Sequence, residues 1–289
     1  MNERIASSIF RPSALQTSRS VLNAAKQIFG ERGVERLVDA HSPGPLFSRL
    51  LVCDKSTGRY GTIRGNTTLP KKLNLLVDID YFAFNFLRAV SNASLTTGAN
   101  LRSEPGLSIS LQSIGKSGLL QLRSEMKVEP PISPAPVVMT RCSNIDFNHV
   151  FFRSLDESDT RVITVMSAPE QTERMHLENK DSFLDETLFL WPVETLSARK
   201  AIDLLAQQFD NGNRVLIEAG PSMADSLLRF DIFTMFLTIL EEDTIDIAKD
   251  SLPFFDQDYI RDVCGFELLH ECHIKLDSDA RASYLLFSK

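Results

Sequence analysis

Short apolar runs that alternate with helical segments constrain the fold of this sequence more than any other feature. Runs rich in β-branched residues at 136–140 (PVVMT), 161–166 (RVITVM) and 214–218 (RVLIE) predict strands. Apolar residues at helical spacing in 77–90 and 195–210 predict helices between them. Strands that alternate with helices favour an α/β domain with a mainly parallel, doubly wound sheet.

The remaining patterns add further elements to this domain. Apolar or alternating runs predict strands at 47–54, 93–98, 105–111 and 232–239. A turn or hairpin is expected at 58–61, and residues 265–276 with 282–287 predict a closing hairpin. Residues 112–134, which lead into EPPISPAP, are expected to form a loop.

The first 45 residues have a different pattern. Residues 13 to about 40 carry apolar residues at helical spacing, with Gly30 and Gly33 as a stop or hinge. The string HSPGPLF then breaks the chain. We therefore expect an N-terminal helical extension at 1–45 and an α/β domain at 46–289.

Composition argues against several classes of partner. The net charge of −7 argues against nucleic acid or an anionic membrane as the main partner, and no apolar run approaches the roughly 20 residues that span a bilayer. The four cysteines show no CxxC spacing, so reduced thiols in a cytoplasmic protein are expected. Arginines and serines near the N-terminus leave an organelle transit peptide as an alternative.

The stretch RVLIEAGPSMADSLLR, residues 214–229, indicates a ligand site. An apolar run ends on Glu218, Gly220 and Pro221 break it, and a helical pattern at 221–229 follows. The start of such a helix attracts phosphate, and a glycine lets a diphosphate approach the backbone. Ser222 adds a hydroxyl donor. The alternative is a tight strand-to-helix turn whose glutamate is merely solvated.

A second segment, RAVSNASLTTGANLRSEPGL at 88–107, also passes from a short strand into a polar loop, which contains Gly98. The two loops could hold the two ends of one dinucleotide. Together FLRAVSNASLTTGANLRSEPGL and VLIEAGPSMADSLL resemble the reductase domain of the riboflavin-biosynthesis deaminase–reductase family. GRYGTIRGN and the closing hairpin agree in order, so the resemblance covers about residues 47–287.

The resemblance implies a fold, a cofactor and a set of contacts. The fold is that of dihydrofolate reductase-like enzymes, and the family uses NADPH to reduce a pyrimidine ribosylamine 5′-phosphate to its ribityl form. The residues it implies around NADPH are Asn100, Glu104, Gly220, Pro221, Ser222, Met223, Ala224 and Asp225. The residues it implies around the substrate are Thr67, Arg88, Leu107 and Glu218, with Arg88 on the phosphate.

Several of these residues have simpler alternatives. Arg88 could instead form a surface ion pair at a helix end, and Glu104 could be solvated in a loop. Arg141 directly follows the strand at 136–140, where it could bind the 2′-phosphate of NADPH or simply face solvent. Because the cofactor carries the hydride, we expect no nucleophile. Glu104 or Glu218, or a water held by one of them, is hypothesised to protonate the ring-opened sugar.

The sequence also departs from the family pattern. Asn100 stands where a threonine is usual, Leu69 where an aromatic often packs on the cofactor, and Ser110 near a second phosphate-binding arginine. No zinc-site string of the deaminase type occurs, and no metal site is expected.

The sequence therefore predicts an NADPH-dependent reductase of a phosphorylated pyrimidine or a related small molecule. By analogy with the family, a homodimer is expected. The alternatives are a non-catalytic relative that acts as a nucleotide-binding or interaction protein, and an unrelated α/β domain.

Overall fold

The fold was obtained as a computed structural model. It describes residues 1–39, 45–54, 59–61, 71–108, 110–111, 115–129, 131–141, 145–153, 163–178, 188–194, 197–207, 214–218, 234–241, 258–276 and 280–289. In this part of the chain, strands form one mixed, mostly parallel sheet with helices packed on both of its faces.

The sheet is parallel over most of its width. Its strands are β1 (Leu46–Asp54), β2 (Arg59–Gly61), β3 (Ala93–Thr97), β4 (Ala135–Met139), β5 (Ile163–Ser167), β6 (Leu188–Pro192), β7 (Val215–Ile217), β8 (Thr234–Glu241), β9 (Glu267–Lys275) and β10 (Arg281–Ser288). They follow the order β6-β5-β4-β3-β7-β1-β8-β10-β9. All pairs from β6 to β8 are parallel, whereas β10 is antiparallel to β8 and β9, and β2 is antiparallel to β1.

The helices lie between and beside these strands. They are α1 (Glu3–Ile9), α2 (Ser18–Phe29), α3 (Glu31–Val38), α4 (Asn74–Ala89), α5 (Gly98–Ser103), α6 (Lys116–Glu125), α7 (Val150–Arg153), α8 (Pro169–Glu178) and α9 (Ala198–Ala206). A π-helical turn, Tyr259–Val263, precedes β9. None of the helices in the described ranges is long and apolar enough to cross a membrane.

One face of the sheet is covered by α4 together with the N-terminal helices. The Phe29 ring of α2 lies 5.3 Å from Phe86 of α4 and 4.8 Å from Phe236 of β8, measured between ring centroids. Gly30, at φ 73°, separates α2 from α3, because a left-handed backbone is easiest for glycine. The helical extension predicted at 1–45 is therefore helical where it is described, and it shares a core with the sheet.

The other face is covered by α9 and the π-helical turn near the middle of the sheet. In contrast, α5, α7 and α8 pack toward β4 and β5 on the same face as α4, because Val138 and Val165 point to the opposite side from Val137 and Met166 of the α9 core. Ala201, Ile202 and Leu205 of α9 and Ile260 of the π-helical turn belong to one buried core with side chains of the sheet, those of β3 and β7 among them. A separate cluster of phenylalanines from 147–152 packs with Leu101 of α5 against Val138 and Val165. The carboxyl ends of the parallel strands thus emerge between two layers of helix.

The α/β fold predicted from the sequence is confirmed, and so are the closing hairpin and most strands. Two local predictions were wrong. Residues 105–108 and 110–111 form no strand, and the region predicted as a loop contains α6. The alternation at 105–111 arises because Leu107 packs on the phenylalanine cluster while Leu111 belongs to the core beneath α4. The helix predicted at 221–229 lies outside the described residues.

Candidate functional site

The two segments singled out in the sequence meet at the carboxyl edge of the sheet. β3 and β7 are parallel neighbours, with Leu95 opposite Ile217. The chain therefore leaves both strands at the same edge, and the Asn100 side-chain amide donates to the Glu218 backbone oxygen at 2.7 Å. The Thr96 hydroxyl donates to the same oxygen at 3.2 Å. In open α/β sheets this edge is where ligands bind.

Glu218 and Arg88 form a buried ion pair at this edge. The Arg88 Nε and Nη2 atoms donate to the two Glu218 carboxylate oxygens at 2.7 Å each, and both side chains are 5% exposed. The Ser94 hydroxyl donates to Glu218 Oε1 at 2.6 Å. The Arg88 guanidinium also lies 4.3 Å from the centre of the Phe84 ring. Such bidentate, charge-assisted bonds fix both side chains.

This pairing bears on the roles that the resemblance implies for the two residues. The alternative of a surface ion pair for Arg88 is wrong, because the pair is buried. Arg88 and Glu218 contact each other, and Arg88 uses two of its donor nitrogens on the glutamate. Contact of Arg88 with a substrate phosphate and of Glu218 with the substrate remain predictions.

Two buried arginines hold the end of α4 from which Arg88 projects. Arg123 of α6 donates from Nη1 to the backbone oxygens of Arg88, Ala89 and Ser91 at 3.0, 3.0 and 2.7 Å. Arg214, which directly precedes β7, donates to the Val90 oxygen at 3.1 Å and to the Leu37 oxygen at 3.0 Å. Cations at a helix C-terminus satisfy its last carbonyls and oppose the negative end of its dipole. The sequence analysis missed both arginines.

Glu104 is a second acid at the same edge. It caps the C-terminus of α5 and is partly buried. Burial raises the pKa of its carboxyl, the Arg49 guanidinium opposes that rise, the Glu218 carboxylate adds to it, and Arg88 lowers it again. The alternative of a fully solvated loop residue does not fit this burial. Glu104 therefore keeps its proton to higher pH than an ordinary glutamate.

Arg49 and His149, which the sequence analysis did not select, interact with Glu104. Arg49 lies in β1, and burial lowers the pKa of its guanidinium while the Glu104 carboxylate raises it. An arginine inside the apolar run FSRLLVCD was the available signal. His149 accepts from the Phe151 amide at Nδ1, at 3.0 Å, so its Nε2 carries the proton and donates to the Glu104 backbone oxygen at 2.9 Å.

The other predicted site residues lie in different surroundings. A Cβ at Gly98 would lie 2.7 Å from the Thr140 hydroxyl, so that glycine allows the start of α5 to pack closely on Thr140, which follows β4. Arg141 is exposed just beyond β4, and Leu107 is partly buried. The remaining predicted site residues lie outside the described part of the chain: Thr67, Gly220, Pro221, Ser222, Met223, Ala224 and Asp225. Leu69 lies outside it as well.

No protein-family model matches the sequence, and no curated protein matches it. Solved structures match the fold. A pyrimidine reductase-like protein of Corynebacterium diphtheriae superposes with a TM-score of 0.56 at 14% identity, over 92% of this chain and 99% of that one. RibD of Acinetobacter baumannii superposes with a TM-score of 0.54 at 16% identity, over 90% of this chain and 62% of that one.

These similarities confirm the resemblance at the level of the fold. The chain has a pyrimidine reductase-like fold, as the motifs in its sequence predict. It spans less than two thirds of the length of RibD. At such low identities the similarity shows the fold alone.

Proposed function

We propose that this protein is an NADPH-dependent reductase of a small molecule that contains a nitrogen heterocycle. The observation that carries the proposal is the meeting of Glu218, Arg88, Asn100 and Glu104 at the carboxyl edge between β3 and β7. In a pyrimidine reductase-like fold, this edge is where a cofactor and a substrate would face each other.

The described residues fit part of a nicotinamide dinucleotide. Arg141 offers an exposed guanidinium beyond β4, suited to a 2′-phosphate. Asn100 and Glu104 lie near Glu218 at the carboxyl edge, where polar groups of a nucleotide would lie. NADPH, when bound, supplies the hydride, and the residues of the chain position the substrate and deliver a proton.

Glu104 is the residue that would deliver this proton. Because burial raises the pKa of its carboxyl, it keeps its proton to higher pH than an ordinary glutamate, as a general acid requires. Arg88 and Ser94 hold the Glu218 carboxylate in place, so Glu218 would form a rigid part of the site beneath the substrate. A Glu104→Gln variant should therefore lose more turnover than cofactor affinity.

The test is a fluorescence titration of the purified protein with NADPH and, separately, with NADH. We expect saturable binding of NADPH and weaker binding of NADH. Arg141→Ala should erode the preference for NADPH about tenfold or more, because a charge-assisted contact with the phosphate is lost. Arg32→Ala, an exposed arginine of α3, is the matched control. Absence of NADPH binding at millimolar concentration would end the proposal.

A second candidate is a non-catalytic relative that binds a nucleotide or a partner protein. The observation that favours it is the ion pair itself, because Arg88 and Glu218 bind each other and are buried. It predicts NADPH binding without oxidation of the cofactor by any pyrimidine substrate. A homodimer in the cytoplasm accompanies either candidate, and light scattering of the purified protein tests the dimer.

A further inference from the structure

A serine, a histidine and a glutamate form a hydrogen-bonded row on the closing hairpin. Ser283 of β10 and His273 of β9 lie opposite each other in the antiparallel pair. The Ser283 hydroxyl oxygen is 2.8 Å from His273 Nδ1, and His273 Nε2 is 3.2 Å from Glu271 Oε1. Strands β1 and β8 separate this hairpin from β7, so the row lies apart from the candidate site.

These contacts define the tautomer of the His273 ring. The Glu271 carboxylate accepts hydrogen bonds, so Nε2 carries the proton and donates to it. Nδ1 then has a lone pair that accepts the proton of the Ser283 hydroxyl. A hydroxyl beside a histidine base whose other nitrogen is oriented by an acid is the arrangement that activates serine nucleophiles.

The row is open to solvent on the side of the imidazole. The His273 side chain is 60% exposed and that of Glu271 is 34% exposed, whereas Ser283 is 6% exposed. Side chains alternate along a strand, so Ser283 shares its face with Leu285 and Phe287, which belong to the α9 core. Ser283 thus lies at the margin of this core, where a small molecule reaches its hydroxyl from the side of His273.

A cation lies next to the serine on the same strand. Arg281 is two residues from Ser283, so the two side chains share a face and leave the backbone about 7 Å apart. Arg281 Nε lies 2.9 Å from Glu241 Oε2 of β8, and this ion pair holds the guanidinium in place. A guanidinium beside a nucleophile stabilises the negative charge that develops on a carbonyl oxygen.

We propose that Ser283 and His273, with Glu271 as a positioning residue, form a second catalytic site that hydrolyses small carboxylic esters. The inference goes beyond the proposed reductase function, because this row shares no residue with the site at the carboxyl edge of β3 and β7. Arg281 faces the carbonyl oxygen of the ester in this site.

The reaction uses water as its only co-reactant. The Ser283 oxygen attacks the carbonyl carbon while His273 Nδ1 takes the hydroxyl proton, and the carbonyl oxygen gains a negative charge. The bond between the carbon and the leaving oxygen then breaks, and the imidazolium returns the proton to the departing alcohol. Water, deprotonated by His273, cleaves the acyl–serine bond, which releases the acid and restores the Ser283 hydroxyl.

The experiment measures hydrolysis of p-nitrophenyl acetate by the full chain at pH 7, without NADPH, so its outcome is independent of the reductase proposal. We expect a burst of p-nitrophenolate followed by steady turnover, and mass spectrometry should find an acetyl group on the peptide that contains Ser283. Ser283→Ala should lower the steady rate about a hundredfold, because the nucleophile and its base no longer act together. Glu271→Gln should lower kcat and leave KM unchanged, because Glu271 acts through the ring of His273. Ser8→Ala, at an exposed serine whose hydroxyl donates to the Ile5 backbone oxygen, is the control and should hydrolyse the ester as the wild type does.

Three results would overturn the inference. They are hydrolysis no faster than in buffer, an unchanged rate in Ser283→Ala, and absence of an acetyl group from the Ser283 peptide. An unchanged rate in Ser283→Ala would mean that an exposed histidine acts without the serine. If circular dichroism shows that Ser283→Ala does not fold, the position of the acetyl group in the wild type and its loss in His273→Gln decide.

Discussion

The buried pair of Arg88 and Glu218 should show strong energetic coupling. Replacing Arg88 by Met leaves the Glu218 carboxylate buried with the Ser94 hydroxyl bond but without its cation. The reverse replacement, Glu218→Met, leaves a buried guanidinium. Breaking a buried pair on one side costs about 3–5 kcal/mol, whereas replacing both partners by apolar residues is often close to neutral.

The size of the coupling follows from these contacts. In the double variant only the Ser94 hydroxyl loses its acceptor, which costs about 1–2 kcal/mol. The two single variants would sum to about 6–10 kcal/mol if they acted independently. We therefore expect the double variant to be more stable than either single variant, with a coupling free energy above about 3 kcal/mol.

Urea unfolding followed by circular dichroism at pH 7 measures this cycle. Lys26 and Glu31 form a matched control, because they are 2.8 Å apart, close to the 2.7 Å of the buried pair, but their side chains are 38% and 70% exposed. Lys26→Met should leave the free energy of unfolding unchanged within error. Additive single variants, or a double variant less stable than both singles, would refute the buried pair described here.

Further predictions concern an acid, an arginine and a glycine. The pKa of Asp80 is raised from 3.8 to about 6, so the folded state keeps a proton that the unfolded state loses, and stability falls as pH rises from about 4 to 6. Asp80→Asn should be more stable than the wild type at pH 7 by up to about 3 kcal/mol, and equally stable near pH 4. A destabilised variant at pH 7 would contradict this, and Asp203→Asn, at an exposed acid of α9, is the control. Arg123→Met removes three hydrogen bonds to backbone oxygens. It should lower the free energy of unfolding in urea by about 3 kcal/mol or more, and Arg123→Lys should lower it less. A decrease under about 1 kcal/mol for Arg123→Met would contradict this prediction. A Cβ at Gly118 would lie 2.6 Å from the Thr17 backbone oxygen. Gly118→Ala should therefore separate α2 from α6 and lower the melting temperature. Gly106→Ala is the control and should leave the melting temperature unchanged, because the space around Gly106 is open.

Much of the fold could be predicted because its strands are local patterns. Buried parallel strands such as β4 and β8 are short apolar runs, and the hairpin of β9 and β10 joins two such runs that are close in sequence. The helix α6 could not be predicted in the same way. Its residues KSGLLQLRSE begin after Gly115 and include another glycine and two serines, so the sequence indicated a loop. Its helical conformation depends on packing against α2 and α4.

The site was harder to predict than the fold. Glu218 and the segment around Asn100 were found because both follow predicted strands. The partner of Arg88 could not be found, because it lies 130 residues away and local pattern carries no information about such a contact. Arg123 and Arg214 were missed for a related reason. They act on backbone oxygens at the end of α4, and no side-chain pattern in the sequence marks those acceptors.

The most direct test of the account is a crystal structure of the protein grown with NADPH. The account predicts a dinucleotide along the carboxyl ends of β3, β4 and β7, with Asn100 and Glu104 beside it and Arg141 near its 2′-phosphate. A cofactor bound at the opposite edge of the sheet, or an empty edge at saturating NADPH, would contradict it.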